Sequence, residues 1–145
     1  MMSLSMENPM FVIHFAATWA MFGIIWLVQL VQYPAFRFVD PVKFEAFHQF
    51  HSNNITVIVG PLMMAELITG FLLVLRASNS GLYWFNFSLV VAIFLATFAI
   101  SVPLHNKLTL GFNLDVIDQL IFTNWVRTLL YTIHAPLVAY LWRTV

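Results

Sequence analysis

Apolar residues run along the chain in four long blocks, roughly 9–33, 55–75, 83–104 and 120–142, with short polar interruptions between them. Each block comes close to the roughly 20 residues an α-helix needs to cross a bilayer core of about 30 Å. The pattern therefore predicts four transmembrane helices. Pro9 suits a helix start, because the first turn leaves its N–H position unpaired in any case. Tyr83, Trp84, Trp125 and Trp142 fall near block ends, where amphipathic rings meet a membrane surface. The stretch "RASNSG", 76–81, makes helices two and three antiparallel neighbours, and 106–115 joins three to four. No repeat, low-complexity tract or second domain interrupts the chain. The expected fold is all-α: a single domain over 1–145, an integral membrane up-down four-helix bundle with an amphipathic helical segment before helix two. Four crossings place both termini on one side, with the 76–82 turn. The 34–54 connection and the 105–117 loop lie on the other. Arg76 and Arg143 nearly balance Arg37, Lys43 and Lys107 across the two sides, so the positive-inside rule does not fix the orientation.

Composition agrees with the block pattern. The chain is 61% hydrophobic and only 8% charged, whereas a soluble domain has about a quarter of its residues charged. So few charges cannot coat a water-facing surface, and a lipid bilayer is the expected partner. Six basic and six acidic residues cancel, which points away from nucleic acid. The absence of cysteine excludes disulfides, thiolate ligands and thiol redox chemistry. The first block lacks a basic leader and a small-residue cleavage site, so it reads as a retained helix.

The polar residues carry the candidate chemistry. In "FEAFHQFHSNN", 44–54, a helix places Phe44, Phe47, His48 and His51 on one face. As interfacial side chains with apolar bodies and polar tips, these histidines need no ligand. His105, however, ends helix three on the same side of the bundle. His48, His51 and His105 therefore converge by topology, and three imidazoles are a candidate metal set. Glu66 lies on the face of His48 but about 27 Å along the helix, too far to share a metal ion.

Helix four carries Asn124, Arg127, Thr128 and Tyr131 as a stripe with His134 at its margin, and helix one carries His14, Thr18, Gln29 and Gln32. Such stripes must face the bundle interior or water rather than lipid. By the helical rise, Glu66 lies about 16 Å deep from the His48 side, Arg127 about 10 Å and His134 about 21 Å, so Glu66 is level with Tyr131. One reading is a buried Glu66–Arg127 ion pair that fixes register. The other makes Glu66 a ligand or proton carrier, with Arg127 gripping an anionic or carbonyl group, the two lining one cavity with Tyr131 and His134. Met63 and Met64 read as helix packing, and Pro61, Pro103 and Pro136 as kinks.

Two stretches, "VPLHNKL" (102–108) and "TNWVRT" (123–128), resemble the anthrone oxygenases, small four-helix membrane proteins. These have an Asn-containing motif after the third helix and Trp, Asn and Arg in the fourth. The resemblance covers the last third of the chain. It implies oxidation of a small lipophilic substrate at a membrane site, with Asn106, Asn124, Trp125 and Arg127 as the carried-over candidates.

The expected function is thus a membrane-embedded, metal-dependent oxidoreductase. His48, His51 and His105 would hold the metal. Glu66, Arg127, Tyr131 and His134 would be catalytic, and His14 and Asn124 would contact a cofactor. Imidazole and carboxylate ligands suit iron or copper for redox work, whereas zinc would point to hydrolysis. A b-type haem between His14 and His134 is the near variant, although their depths differ by about 6 Å. A proton-coupled carrier built on Glu66, Arg127 and His134 is a different class, and with four helices it would need a homo-oligomer. A structural or assembly protein is a third. No Gly-rich phosphate loop or nucleophile elbow appears.

Overall fold

A computed structural model describes residues 8–77 and 79–144. Residues 1 and 145, whose shared side the sequence predicts, lie outside the described residues, as does Ser78 in the predicted turn. The α-helices are α1 (Pro9–Leu27), α2 (Tyr33–Ala35), α3 (Phe44–Arg76), α4 (Gly81–Ala96), α5 (Val102–Leu108) and α6 (Leu114–Thr144). Wide π-turns at Val28–Gln32 and Thr97–Ser101 join α1 to α2 and α4 to α5, and a 3₁₀ turn, Phe36–Phe38, follows α2. The outcome is four rods: Pro9–Phe38, α3, Gly81–Leu108 and α6. The described residues contain no strand. The predicted amphipathic segment does not stand apart from helix two, because it forms the first turns of α3.

Three rods, Pro9–Phe38, Phe44–Arg76 and Gly81–Leu108, are long and apolar enough to cross a membrane. The fourth, α6, is not among them. Asn124, Arg127, His134 and Pro136 break its apolar run.

Local chemistry sets the rod ends. The Asn8 side chain accepts from the Met10 N–H at 3.2 Å, and Pro9 begins α1. Asn113 accepts from the Val116 N–H at 3.1 Å and caps α6. The preceding turn passes through Gly111 at φ 122°, a conformation open to glycine.

Both π-turns have the same sequence neighbour. Pro34 follows the first by two residues and Pro103 follows the second by two. Proline cannot donate to the carbonyl four residues back and its ring crowds that carbonyl. A locally widened turn relieves the crowding, and such bulges recur at functional sites. Pro61 and Pro136, by contrast, lie within unbroken α3 and α6.

The first rod packs on α3 and α6, and the third packs on the same two, the contact ring of an up-down bundle. Three apolar layers fill it. Phe11, Leu73, Val74, Tyr83 and Leu141 close one end. Met21, Ile25, Met63, Ile93 and Tyr131 occupy the middle. Tyr33, Phe36, Phe44, Leu104, Leu108, Ile117 and Leu120 belong to the cluster at the other end. Polar side chains are sandwiched between these layers, and large apolar ones such as Leu27, Val57, Leu95, Phe98 and Phe122 point outward.

Candidate functional site

Between the end layer at Phe11 and the middle layer, each of the four rods contributes to one buried network. Asn86 of α4 bridges two histidines. Its Nδ2 lies 3.0 Å from His14 Nε2, and its Oδ1 lies 3.0 Å from His134 Nε2. His14 Nδ1 is 2.9 Å from Thr69 Oγ1 of α3. Glu66 of α3 accepts from the Tyr131 hydroxyl at Oε2, 2.9 Å, and its Oε1 lies 3.7 Å from His134 Nδ1. Each of these six side chains is buried. Gly70 makes room for the arrangement, since a Cβ there would sit 3.3 Å from His14 Cε1.

A second polar layer lies nearer the other end. Asn124 Nδ2 donates to Gln29 Oε1 at 2.9 Å, and Gln29 Nε2 donates to the Ile121 carbonyl at 3.1 Å. Arg127 donates from Nη1 to Ser101 Oγ at 3.2 Å, while its Nε has no partner. Glu66 and Arg127 thus have separate partners, and no ion pair joins them among the described residues.

The three histidines of the far end do come together. His48 Nε2 and His105 Nδ1 are 3.0 Å apart, with the rings stacked at 5.2 Å. The His51 and His105 rings stack at 6.1 Å. His105 Nε2 lies 2.9 Å from the Tyr33 hydroxyl, and His51 Nδ1 lies 3.3 Å from Gln32 Nε2. Phe36 and Phe44 wall the group. Most of the imidazole nitrogens are therefore engaged with each other or with neighbours. Two are left without a partner, His48 Nδ1 and His51 Nε2. The described residues hold no group of three His, Asp or Glu side chains arranged for one metal ion.

Two hollows adjoin these histidines. A cavity of about 200 Å³ is lined by residues of all four rods. Ile25, Val59, Met63 and Phe98 form part of its apolar wall, and Tyr33, His51, Ser101, His105 and Arg127 give it polar groups. A neighbouring hollow of about 230 Å³ is lined by His48, Ser52, Asn106 and Thr109 among others. His105 borders both, whereas His48 and His51 border one each. An open apolar groove along Leu67, Val91, Phe94, Leu95 and Ala99 shares Phe98 with the first cavity.

The predicted residues thus fall into two groups. His48, His51, His105 and Arg127 gather around the cavities at one end. Glu66, Tyr131, His134 and His14 form the closed network deeper in the bundle, and Asn124 binds Gln29 between the two. The expected single cavity shared by Glu66 and Arg127 is replaced by this division. Asn86, Thr69, Tyr33 and Ser101 escaped the sequence reading. Asn86 left a signal, a lone amide inside an apolar block, where an unpaired polar group is costly. Tyr33 left none, because a tyrosine at a block end reads as an interfacial ring. Compared with known protein families, curated proteins and solved structures, the chain matches none.

Proposed function

We propose that this protein is a membrane-embedded oxidoreductase acting on a small lipophilic molecule with one oxygen-bearing end. A membrane setting is supported by the three apolar rods, by the outward-facing Leu, Val and Phe side chains, and by polar groups kept inside. Water would not tolerate that exterior, and lipid would not tolerate the interior turned outward. Phe11 and Leu141 pack in one end layer, which supports an even number of crossings with both termini on one side.

The observation that carries the reading is Arg127 on the cavity wall. It is buried, its guanidinium lies against Ser101 and the Tyr33 hydroxyl, and its Nε has no partner. A planar guanidinium in that state fits a carbonyl, phenolate or carboxylate oxygen entering the cavity. The apolar wall takes the rest of the molecule. Tyr33, His105 and His48 then form a hydrogen-bonded line from the cavity to the neighbouring hollow. Such a line can accept a proton from a bound hydroxyl and release it on the far side. Iron or copper, if bound, would supply the electron acceptor. The imidazole nitrogens without a partner are His48 Nδ1 and His51 Nε2, on residues that border different hollows. Two nitrogens so placed are not a complete metal set, and the roles given to Arg127, Tyr33 and His105 do not depend on one.

Arg127→Lys tests the reading. It keeps the charge but loses the planar fork. Binding of a lipophilic quinone or carboxylate, followed by quenching of tryptophan fluorescence, is expected to weaken at least tenfold while the thermal midpoint stays near wild type. Unchanged binding in this variant would remove the substrate role of Arg127. Metal analysis with a visible absorption spectrum of the purified protein tests iron, copper and haem together. The four-rod network around Glu66 favours a second reading, a proton-coupled carrier, and proton flux into protein-loaded vesicles would support it.

A further inference from the structure

We propose that Glu66 and His134 hold one proton between them, so that the closed network at the centre of the bundle is a proton-binding site distinct from the cavity. The inference follows from counting donors and acceptors, group by group. Asn86 donates from Nδ2 to His14, so His14 Nε2 is bare and its proton sits on Nδ1, facing Thr69. Thr69 in turn donates to the Ala65 carbonyl. On the other side the Asn86 oxygen must accept, so His134 carries its proton on Nε2 and presents a bare Nδ1. That nitrogen faces Glu66 Oε1 at 3.7 Å and has no other partner, while the buried Thr18 hydroxyl of α1 is the other polar group beside the carboxyl. A bare nitrogen facing a carboxylate in a buried layer leaves the nitrogen without a donor and the carboxylate's charge uncompensated, which is costly. One proton on Glu66 Oε1 resolves both at once, since a carboxylic O–H donates to the bare nitrogen after a small closure. The remaining carboxyl oxygen already accepts from Tyr131.

The titratable groups facing the pair are His14 from α1 and Tyr131 from α6, with Arg127 four residues before Tyr131. From α4 comes only Asn86, which does not titrate. Moving the proton from Glu66 to His134 Nδ1 breaks one O–H bond, forms one N–H bond and leaves a carboxylate beside an imidazolium, with no change of electrons. The path stops at Asn86, because an amide oxygen accepts a hydrogen bond without passing a proton onward. The site therefore stores a proton rather than conducting it through to His14, and exchange must run by way of Glu66 and Tyr131. Oxidation of a hydroxyl in the cavity releases protons, and a store of this kind could take one up. The site itself stands whether or not the cavity binds a substrate.

Infrared spectroscopy of the full chain in detergent at neutral pH tests the proposal. The described acids other than Glu66, namely Asp40, Glu45, Asp115 and Asp118, are exposed, so a band from an un-ionised carboxyl group points to Glu66. The band is expected in wild type, absent in Glu66→Gln and shifted in His134→Leu, where the carboxyl loses its acceptor. Stability gives an independent measure. The amide introduced by Glu66→Gln has the shape of the protonated acid and donates the same bond, so this variant should melt near wild type, with Glu66→Leu well below. A missing band in wild type, a band that survives Glu66→Gln, or a Glu66→Gln variant as unstable as Glu66→Leu would each overturn the proposal. So would a stoichiometric transition metal that is lost with Glu66→Gln.

Discussion

Gly70 shows how little slack the inner network has. Glycine inside a helix normally costs about 1 kcal/mol relative to alanine, so a Gly→Ala change there would ordinarily stabilise. At Gly70 the new methyl would meet His14 Cε1 at 3.3 Å and Phe87 Cδ2 at 3.4 Å. Overpacking a fitted site costs about 1–3 kcal/mol, which outweighs the propensity gain. Gly70→Ala should therefore lower the thermal midpoint and weaken the His14–Thr69 bond, whereas the same change at Gly23, where nothing lies within 4 Å, should not. Single residues also show what could be read in advance. His14, Glu66, Tyr131 and His134 announced themselves, since ionisable or hydroxyl groups inside apolar blocks must face inward. Their partners did not, because a stripe gives direction but not the rotation of one rod against the next. That rotation is what set Glu66 on His134 and Tyr131 rather than on Arg127.

Among the rods, the two π-turns set the register of three polar groups on the cavity wall, Tyr33, Ser101 and His105. Tyr33 follows the first directly, and Ser101 ends the second with His105 one turn later. Pro103→Ala restores a backbone donor and removes the crowding that supports the wide turn. If the third rod then reverts to regular α geometry, Ser101 and His105 lose register by about 100° relative to the preceding helix. The expected outcome is weaker ligand binding in the cavity with an unchanged or higher thermal midpoint. Proline was legible here only as a possible kink. It widened a turn at Pro34 and Pro103 and left α3 and α6 continuous at Pro61 and Pro136, because neighbouring packing decides which response is cheaper. The Arg37–Asp118 bridge ties the end of the first rod to α6 at 2.7 Å, but both side chains are more than 40% exposed. Asp118→Asn should thus cost no more than about 1 kcal/mol in chemical denaturation.

At the scale of the whole molecule, block length and hydropathy made the four-rod architecture readable. They did not foresee that α6 would carry too much polarity to rank with the other three, because the groups that lower its hydropathy are the ones its neighbours satisfy. The absence of native cysteine makes the proposed membrane arrangement directly testable. Val42→Cys and Leu110→Cys replace exposed residues near one end of the bundle, and Asn79→Cys replaces one at the other. In oriented vesicles a membrane-impermeant thiol reagent should label the first two from one side and the third from the opposite side. Labelling of all three from the same side would contradict the arrangement. The position of the cavity has a further consequence. It shares Phe98 with the apolar groove, which runs along the flank of the bundle rather than at an end. In the proposed membrane setting a molecule entering there would come from the lipid phase, so the concentration that governs occupancy would be the one set by partitioning. In a homologous series of ligands, each added methylene favours the bilayer by about 0.8 kcal/mol. The half-saturating aqueous concentration should then fall about fourfold per methylene, while the same data expressed as mole fraction in lipid collapse onto a single curve.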